Sequence, residues 1–248
     1  MRDLLSSFID QVCDAVNRRT IEANEEFILN AISCITNILY YDTAQEPLFE
    51  NKLRTKVFFS CKDFLLATQN EEIQIETVRV LSNLSRHRQL SAAEFTKEES
   101  FLSMLVIVLD HTLRDLVFYS VGIIINMSLH EEVRPALLKL PVVDKLIDVL
   151  RDANLEDMDL AKVAAKAIHN LQGVVNTNQF WSEDAVNKLD EFTRTFGEEL
   201  DEIMVSESVR ESYFSLNTCG RMWQQMRSLS RSRHCVTCST SSSTICPK

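Results

Sequence analysis

One segment has residue types that could bind zinc on a helix. The segment 130–134 reads His-Glu-Glu-Val-Arg, which resembles His-Glu-x-x-His. In that motif two histidines one turn apart hold the metal and the glutamate acts as a general base. Here the fifth residue is Arg134, so the second ligand is missing. We therefore predict no metal at this position.

A second group of possible zinc ligands lies near the end of the chain. Cys235 and Cys238 have ligand spacing, with His234 beside them and Cys246 beyond. Ser and Thr surround them with almost no apolar support, so we interpret this segment as a disordered tail. We expect neither a metal nor a cofactor in this protein.

Nucleophilic catalysis would require a cysteine with a histidine as its base. The candidates Cys34, Cys61 and His169 each lie within an apolar helical pattern. Such residues are typical of a packed interior, where a thiol is a small apolar group. We therefore predict that the protein is not an enzyme.

Composition and charge narrow the fold and the partners. Only four Gly and four Pro occur in 248 residues, which argues against a turn-rich β-fold. No glycine-rich phosphate-binding motif is present. The net charge is −10, and every acidic residue lies at or before Glu211. A body so acidic repels nucleic acid and anionic lipid, and no apolar run is long enough to insert into a membrane.

The helices predicted for this chain belong to an internal sequence repeat. One eight-residue phrase occurs four times, each time with Asn at its seventh position. The four Asn are 46, 43 and 44 residues apart: Asn37, Asn83, Asn126 and Asn170. Relative to each Asn, positions −6, −5, −2 and +1 are small or apolar and fall on one helical face. We predict that this face is buried.

A second apolar helix precedes each phrase, as in 102–109 and 143–150. Pro135 and Pro141 bracket a short segment before the latter, which predicts a short first helix there. Two long helices and one short helix in about 43 residues indicate an all-α, armadillo-type right-handed α-solenoid. A HEAT array, with two helices per repeat, is the alternative.

The predicted organisation is one armadillo domain followed by a tail. The domain spans 1–227, with repeats near 1–42, 43–89, 90–133 and 134–176 and a degenerate helical cap at 177–227. Residues 228–248, rich in Ser, Thr and Cys, form the predicted disordered tail.

The recurrent Asn has two readings, and both stay open. It can form a hydrogen bond with the nearby backbone at the end of its helix. It can also form a ladder of amides in a groove that holds an extended partner. Basic residues on or just after the same helices would suit a partner with an acidic segment. The candidate protein-binding residues are Asn37, Arg79, Asn83, Arg86, Asn126, Lys166 and Asn170.

Three segments carry a resemblance to a ciliary family of armadillo-repeat proteins. They are 78–88, which reads VRVLSNLSRHR, together with 118–128 and 146–152. The resemblance covers about 27–205. It implies a scaffold or adaptor for axoneme assembly in motile cilia and sperm flagella. Its implied partners are radial-spoke, central-pair or intraflagellar transport components, and its implied location is the cytoplasm and the axoneme.

The chain departs from that family at both ends. It begins almost inside a repeat, without the family's long N-terminal region, and its Ser/Cys-rich end is not typical. A truncated isoform or incomplete gene model would have this form. The alternative is a cytoplasmic armadillo peptide-binding protein of another family. Nuclear-import receptors are disfavoured, because their groove Trp, four residues before each Asn, is absent here.

Overall fold

The structure is a computed structural model of the 248-residue chain. It describes residues 2–17, 24–42, 48–62, 65, 68–153 and 157–172. The predicted cap, 177–227, and the predicted tail, 228–248, lie outside the described residues, so both stay predictions. The chain divides between Lys145 and Leu146 into two compact units.

All regular secondary structure in these ranges is helical, with no strand among them. In chain order the helices are α1 (Arg2–Asn17), α2 (Glu25–Tyr40), α3 (Asn51–Lys62), α4 (Glu71–Ser85), α5 (Arg88–Leu90), which continues as a π-helical turn (Ser91–Phe95), α6 (Glu99–Val108), α7 (Arg114–Ser128), α8 (Arg134–Leu138), α9 (Val142–Ala153) and α10 (Met158–Gln172).

The order of short and long helices is the one predicted. Short α5 precedes long α6 and α7, and short α8 precedes α9 and α10. Pro135 stands in the first turn of α8, where its missing N–H costs nothing, and Pro141 directly precedes α9. In the first unit, α2 packs on α4 and α4 packs on α7. We call these three the third helices, because each is the last of its repeat.

The predicted core face of each phrase is buried. At positions −6, −5 and −2 every residue is at most 9% exposed. At position +1, Leu84, Met127 and Leu171 are buried as well, whereas Ile38 in the first repeat is half-buried. The buried set at the first three positions is Ala31, Ile32, Ile35, Thr77, Val78, Leu81, Ser120, Val121, Ile124, Ala164, Ala165 and Ile168.

Three phenylalanines from the second and third repeats pack against one another. Phe58 of α3 stacks on Phe95 with 4.5 Å between ring centroids. Phe101 of α6 meets both rings edge to face, at 5.2 and 4.8 Å. All three are at most 2% exposed. Such aromatic pairs add about 0.5–1.5 kcal/mol each beyond the apolar area they bury.

Within the described ranges, none of the helices combines the length and apolarity needed to cross a bilayer.

Candidate protein-binding groove

The recurrent Asn side chains join successive repeats. Asn83 donates from Nδ2 to the carbonyl of Thr36 at 3.1 Å, and Asn126 donates to the carbonyl of Ser82 at 3.2 Å. Each acceptor directly precedes the Asn of the repeat before. The amide therefore ties one third helix to the previous one, a role that neither sequence-based reading included.

The two amides differ in what they leave for a partner. Asn126 also donates to Ser85 Oγ at 2.9 Å, so both of its N–H groups are used and only Oδ1 remains as an acceptor. Asn83 uses one N–H in this way. It therefore retains a donor and an acceptor. Asn37, in the first of these helices, is exposed.

One face of the third helices is open to solvent. It comprises positions −7, −4, 0 and +3 relative to each Asn, and we call it the groove face. In the first unit its residues are Asn30, Ser33, Asn37, Tyr40, Glu76, Arg79, Asn83, Arg86, Tyr119, Gly122, Asn126 and Leu129, all of them exposed or half-buried. In α-solenoids the stacked last helices line the extended concave surface.

Arg79 lies in the middle of the groove face. Its Nη1 pairs with Glu76 Oε1, and its guanidinium carbon lies 5.6 Å from the ring centroid of Tyr119 in the next repeat. The other carboxylate oxygen of Glu76 is buried and has no hydrogen-bond partner within the described part of the chain. The charges of Arg79 and Glu76 thus neutralise each other. Each side chain still has hydrogen-bonding groups without a partner among the described residues.

Arg86 caps the end of α2. Its Nη2 donates to the carbonyls of Leu39 and Tyr40, at 2.7 and 3.2 Å, and its Nε donates to the carbonyl of Asn83 at 3.1 Å. Burial lowers the pKa of Arg86 below its ordinary value, against the opposing effect of Asp42. A cation at a helix C-terminus is favourable. Arg86 therefore has a structural task at this point of the groove face.

The other predicted residues lie in the second unit. Lys166 of α10 is exposed. Asn170 is half-buried, and its Nδ2 is buried without a hydrogen-bond partner among the described residues. The structure thus brings five of the seven predicted residues together on the third helices of the first unit.

Comparisons with known proteins agree with this architecture. No family model matches the chain. It is 27% identical to Armadillo repeat-containing protein 2 of Mus musculus over 187 residues, which cover 73% of this chain and 21% of the relative. The human protein of that name is 25% identical over 172 residues, 69% of this chain and 19% of the relative. The chain spans about a fifth of the length of the curated relatives it matches.

Solved structures show the same fold. Computationally designed armadillo repeat proteins for modular peptide recognition match with a TM-score of 0.58 at 16% identity, covering 87% of this chain and 98% of that one. The chain has the armadillo-repeat fold. An engineered protein matches with a TM-score of 0.57 at 12% identity, covering 89% and 98% of the two chains. Two predictions are confirmed: the all-α armadillo solenoid, and the family resemblance of the three segments, which is to Armadillo repeat-containing protein 2.

A buried ionic cluster at the first joint between armadillo repeats has no counterpart in the sequence analysis. Asp42 is fully buried, and Arg54 binds both of its oxygens, through Nε at 2.7 Å and Nη2 at 2.8 Å. His87 Nε2 lies 3.1 Å from Oδ2, and the Leu48 N–H donates to Oδ1 at 2.7 Å. Burial raises the pKa of Asp42, but the hydrogen bonds from Arg54, His87 and Leu48 outweigh it, so the net pKa lies well below its ordinary value.

The described residues do not bring Cys61, or the residues of segment 130–134, into a catalytic arrangement. Burial raises the pKa of Cys61 well above its ordinary value, which keeps the thiol protonated and unreactive. Glu132 pairs with Arg88 at 2.6 Å, and Arg134 donates to the carbonyl of Ser128. In the ranges described, no three His, Cys, Asp or Glu side chains converge as metal ligands. The cysteines of the tail lie outside those ranges.

Proposed function

We propose that the chain is a non-enzymatic scaffold that holds an extended segment of another protein on the groove face. The observation that carries this proposal is the unused hydrogen-bonding capacity of Asn83 and Asn126. Their side chains stand on adjacent third helices, partly exposed, with oxygen acceptors left over after the bonds between repeats are made. An extended segment offers backbone N–H groups at regular intervals, which is the complement that such a row requires.

A fold relative supports the same use. The designed armadillo repeat proteins with a TM-score of 0.58 were made for modular peptide recognition. Their fold presents the same row of last helices. We propose Lys166 and Asn170, which occupy positions −4 and 0 of the fourth repeat, as binding residues of the second unit.

The biological setting is proposed from the resemblance to Armadillo repeat-containing protein 2. In that setting the chain contributes to axoneme assembly in motile cilia and sperm flagella. Its partners are radial-spoke, central-pair or intraflagellar transport components, and it acts in the cytoplasm and the axoneme. The chain matches about a fifth of the relatives' length, so this role concerns the armadillo segment.

Recovery of partners from ciliated cells tests both levels of the proposal. The immobilised chain is compared with Asn30→Arg/Asn37→Arg, which places two long side chains on the groove face. The matched control is Ser103→Arg/Ile107→Arg, which adds the same charge at two exposed positions of α6. We expect the groove variant alone to lose the partners. Equal recovery by both variants would contradict groove binding, and recovery without ciliary proteins would favour another cytoplasmic adaptor role.

A further inference from the structure

Large apolar side chains are exposed along one edge of the groove face. Tyr40, Tyr41 and Leu129 are 63%, 69% and 57% exposed. Tyr40 and Leu129 occupy position +3 of the first and third repeats, three residues beyond their Asn, or about 4.5 Å along the helix axis. We call these three residues, with Arg86 between them, the apolar edge. Tyr40 and Leu129 therefore share one position of the first and third repeats, on the same edge of the groove face.

Arg86 does not interrupt this edge as a free cation would. It occupies position +3 of the second repeat, and its guanidinium donates to main-chain carbonyls of α2 and α4. Its guanidinium carbon lies 6.0 Å from the centroid of the Tyr40 ring. With Nε and Nη2 bonded to main-chain carbonyls, Arg86 offers a partner its stem, its flat face and the N–H groups of Nη1.

The opposite side of the Asn row carries no net charge. Position −4 of the three repeats holds Ser33, Arg79 and Gly122. Arg79 is paired with Glu76 one turn away. A charged side chain placed there by a partner would lose its water without gaining a free counter-charge. Uncharged polar side chains, which can accept from the remaining N–H groups of Arg79, fit better.

An extended strand connects these two observations. Its side chains point alternately to opposite sides. If its backbone bonds the Asn amides, one set of side chains faces the apolar edge and the other faces position −4. Three third helices packed about 8–10 Å apart span about 20 Å, or about six extended residues.

We propose that the occupant of the groove face is an extended protein segment in which large apolar residues alternate with uncharged polar ones. This inference rests on the proposed function and adds the chemistry of the partner. It also assigns Tyr40, Tyr41 and Leu129 as binding residues. Because both N–H groups of Asn126 are used, the segment presents a donor to this residue, whereas Asn83 can both donate and accept.

The test uses labelled eight-residue peptides and fluorescence anisotropy. One peptide alternates leucine with serine, one alternates leucine with glutamate and one alternates leucine with lysine. A fourth has the leucine–serine composition arranged in blocks of two. We expect the alternating leucine–serine peptide to bind most tightly, with little change between low and high salt, because no charge pair contributes. Tighter binding of a charged peptide or of the block peptide, or no binding by any of the four, would overturn the proposal.

Substitutions then test whether the peptide binds at the apolar edge. Tyr40→Ser/Leu129→Ser should weaken binding of the leucine–serine peptide about tenfold. Ile107→Ser is the matched control, because Ile107 is equally exposed, at 66%, but lies on α6. All three side chains are at the surface, so thermal melts should match the parent. Equal affinity of the double variant and the control would overturn the apolar edge as the site.

The same variants separate this inference from the proposed function. If partners recovered from ciliated cells are lost with Asn30→Arg/Asn37→Arg but retained with Tyr40→Ser/Leu129→Ser, the groove binds and the apolar edge does not. If neither variant changes recovery, both proposals fail.

Discussion

The two joints between the third helices of the first unit are built differently. At the joint of α2 and α4, Arg86 caps the first helix and the buried Asp42–Arg54 pair closes the connection behind it. At the joint of α4 and α7, position +3 is the exposed Leu129, and Gly122 brings the helices together. A Cβ on Gly122 would lie 3.3 Å from Ser82 Oγ.

Both joints share the Asn bond to the preceding carbonyl. The comparison indicates that the recurrent Asn bond aligns each third helix with the one before it. The other interactions that stabilise a joint differ from one joint to the next. The first joint relies on buried charge and the second on close packing. The first should therefore respond to pH and to loss of charge, and the second to side-chain volume.

The largest expected effect is at the charged joint. Asp42→Ala leaves Arg54 buried without its carboxylate, which should lower the free energy of unfolding by about 3–5 kcal/mol. Urea denaturation measures the loss. The control is Asp10→Ala, which removes a half-exposed acid that pairs with Lys56 at the surface and should cost at most about 1 kcal/mol. Similar losses for the two variants would show that Asp42 does not stabilise the joint.

Acid should weaken the same joint. The pKa of Asp42 is lower in the folded chain than in the unfolded chain, where it is about 3.9. Its stabilising contribution is therefore fully present well above the unfolded pKa, begins to fall below about pH 5, and is lost completely only below the still lower pKa of the folded chain. Melting temperatures measured from pH 7 to pH 3 should fall less for Asp42→Ala than for the parent. Parallel curves would contradict the assignment.

The side chains of Asn126 and Asn83 should contribute differently to the free energy of unfolding. Asn126→Ala removes two hydrogen bonds and leaves the carbonyl of Ser82 without this donor, so we expect a loss of about 1–3 kcal/mol. Asn83→Ala removes one bond and should cost about 0.5–1.5 kcal/mol. Asn37→Ala, at an exposed position, should stay within about 0.5 kcal/mol of the parent. Denaturant titration of the three variants gives this order, and the reverse order would refute the bonding pattern.

Gly122→Ala should have a small effect, and together with Gly122→Val it tests side-chain volume at the second joint. Gly122→Ala gains helix propensity of about 1 kcal/mol but requires the Ser82 side chain to move by a few tenths of an ångström. We expect a change between zero and this gain. Gly122→Val should instead destabilise by about 1–3 kcal/mol, because the added methyls have no space. Ser33→Ala, at the same position of α2, is the control. A stabilising valine would show that the joint is loosely packed.

The repeat and its core were predictable because they are periodic. The Asn spacing and the apolar positions around it identified the third helices, and Ile124 and its equivalents are buried as expected. The brackets at Pro135 and Pro141 located the short helix α8. Local spacing is sufficient for such features, since each helix face is set by residues three and four apart.

The chemistry of the joints was not predictable in the same way. Asp42 and His87 are 45 residues apart, and nothing periodic marks them as neighbours. Arg86 was assigned to partner binding on charge alone, whereas its donors meet the end of α2. The direction of each Asn amide depends on the helix before it. These features arise from packing between repeats, which a helical pattern within one repeat does not encode.

The central claim is that the groove face of the first unit contacts the partner directly. Site-specific photo-crosslinking tests it without removing any bond between repeats. A benzophenone side chain replaces Asn37 on the groove face in one chain and Ser103 on α6 in another, both at exposed positions. We expect crosslinks to the recovered partner from position 37 and none from position 103. Crosslinks from position 103 alone would contradict it.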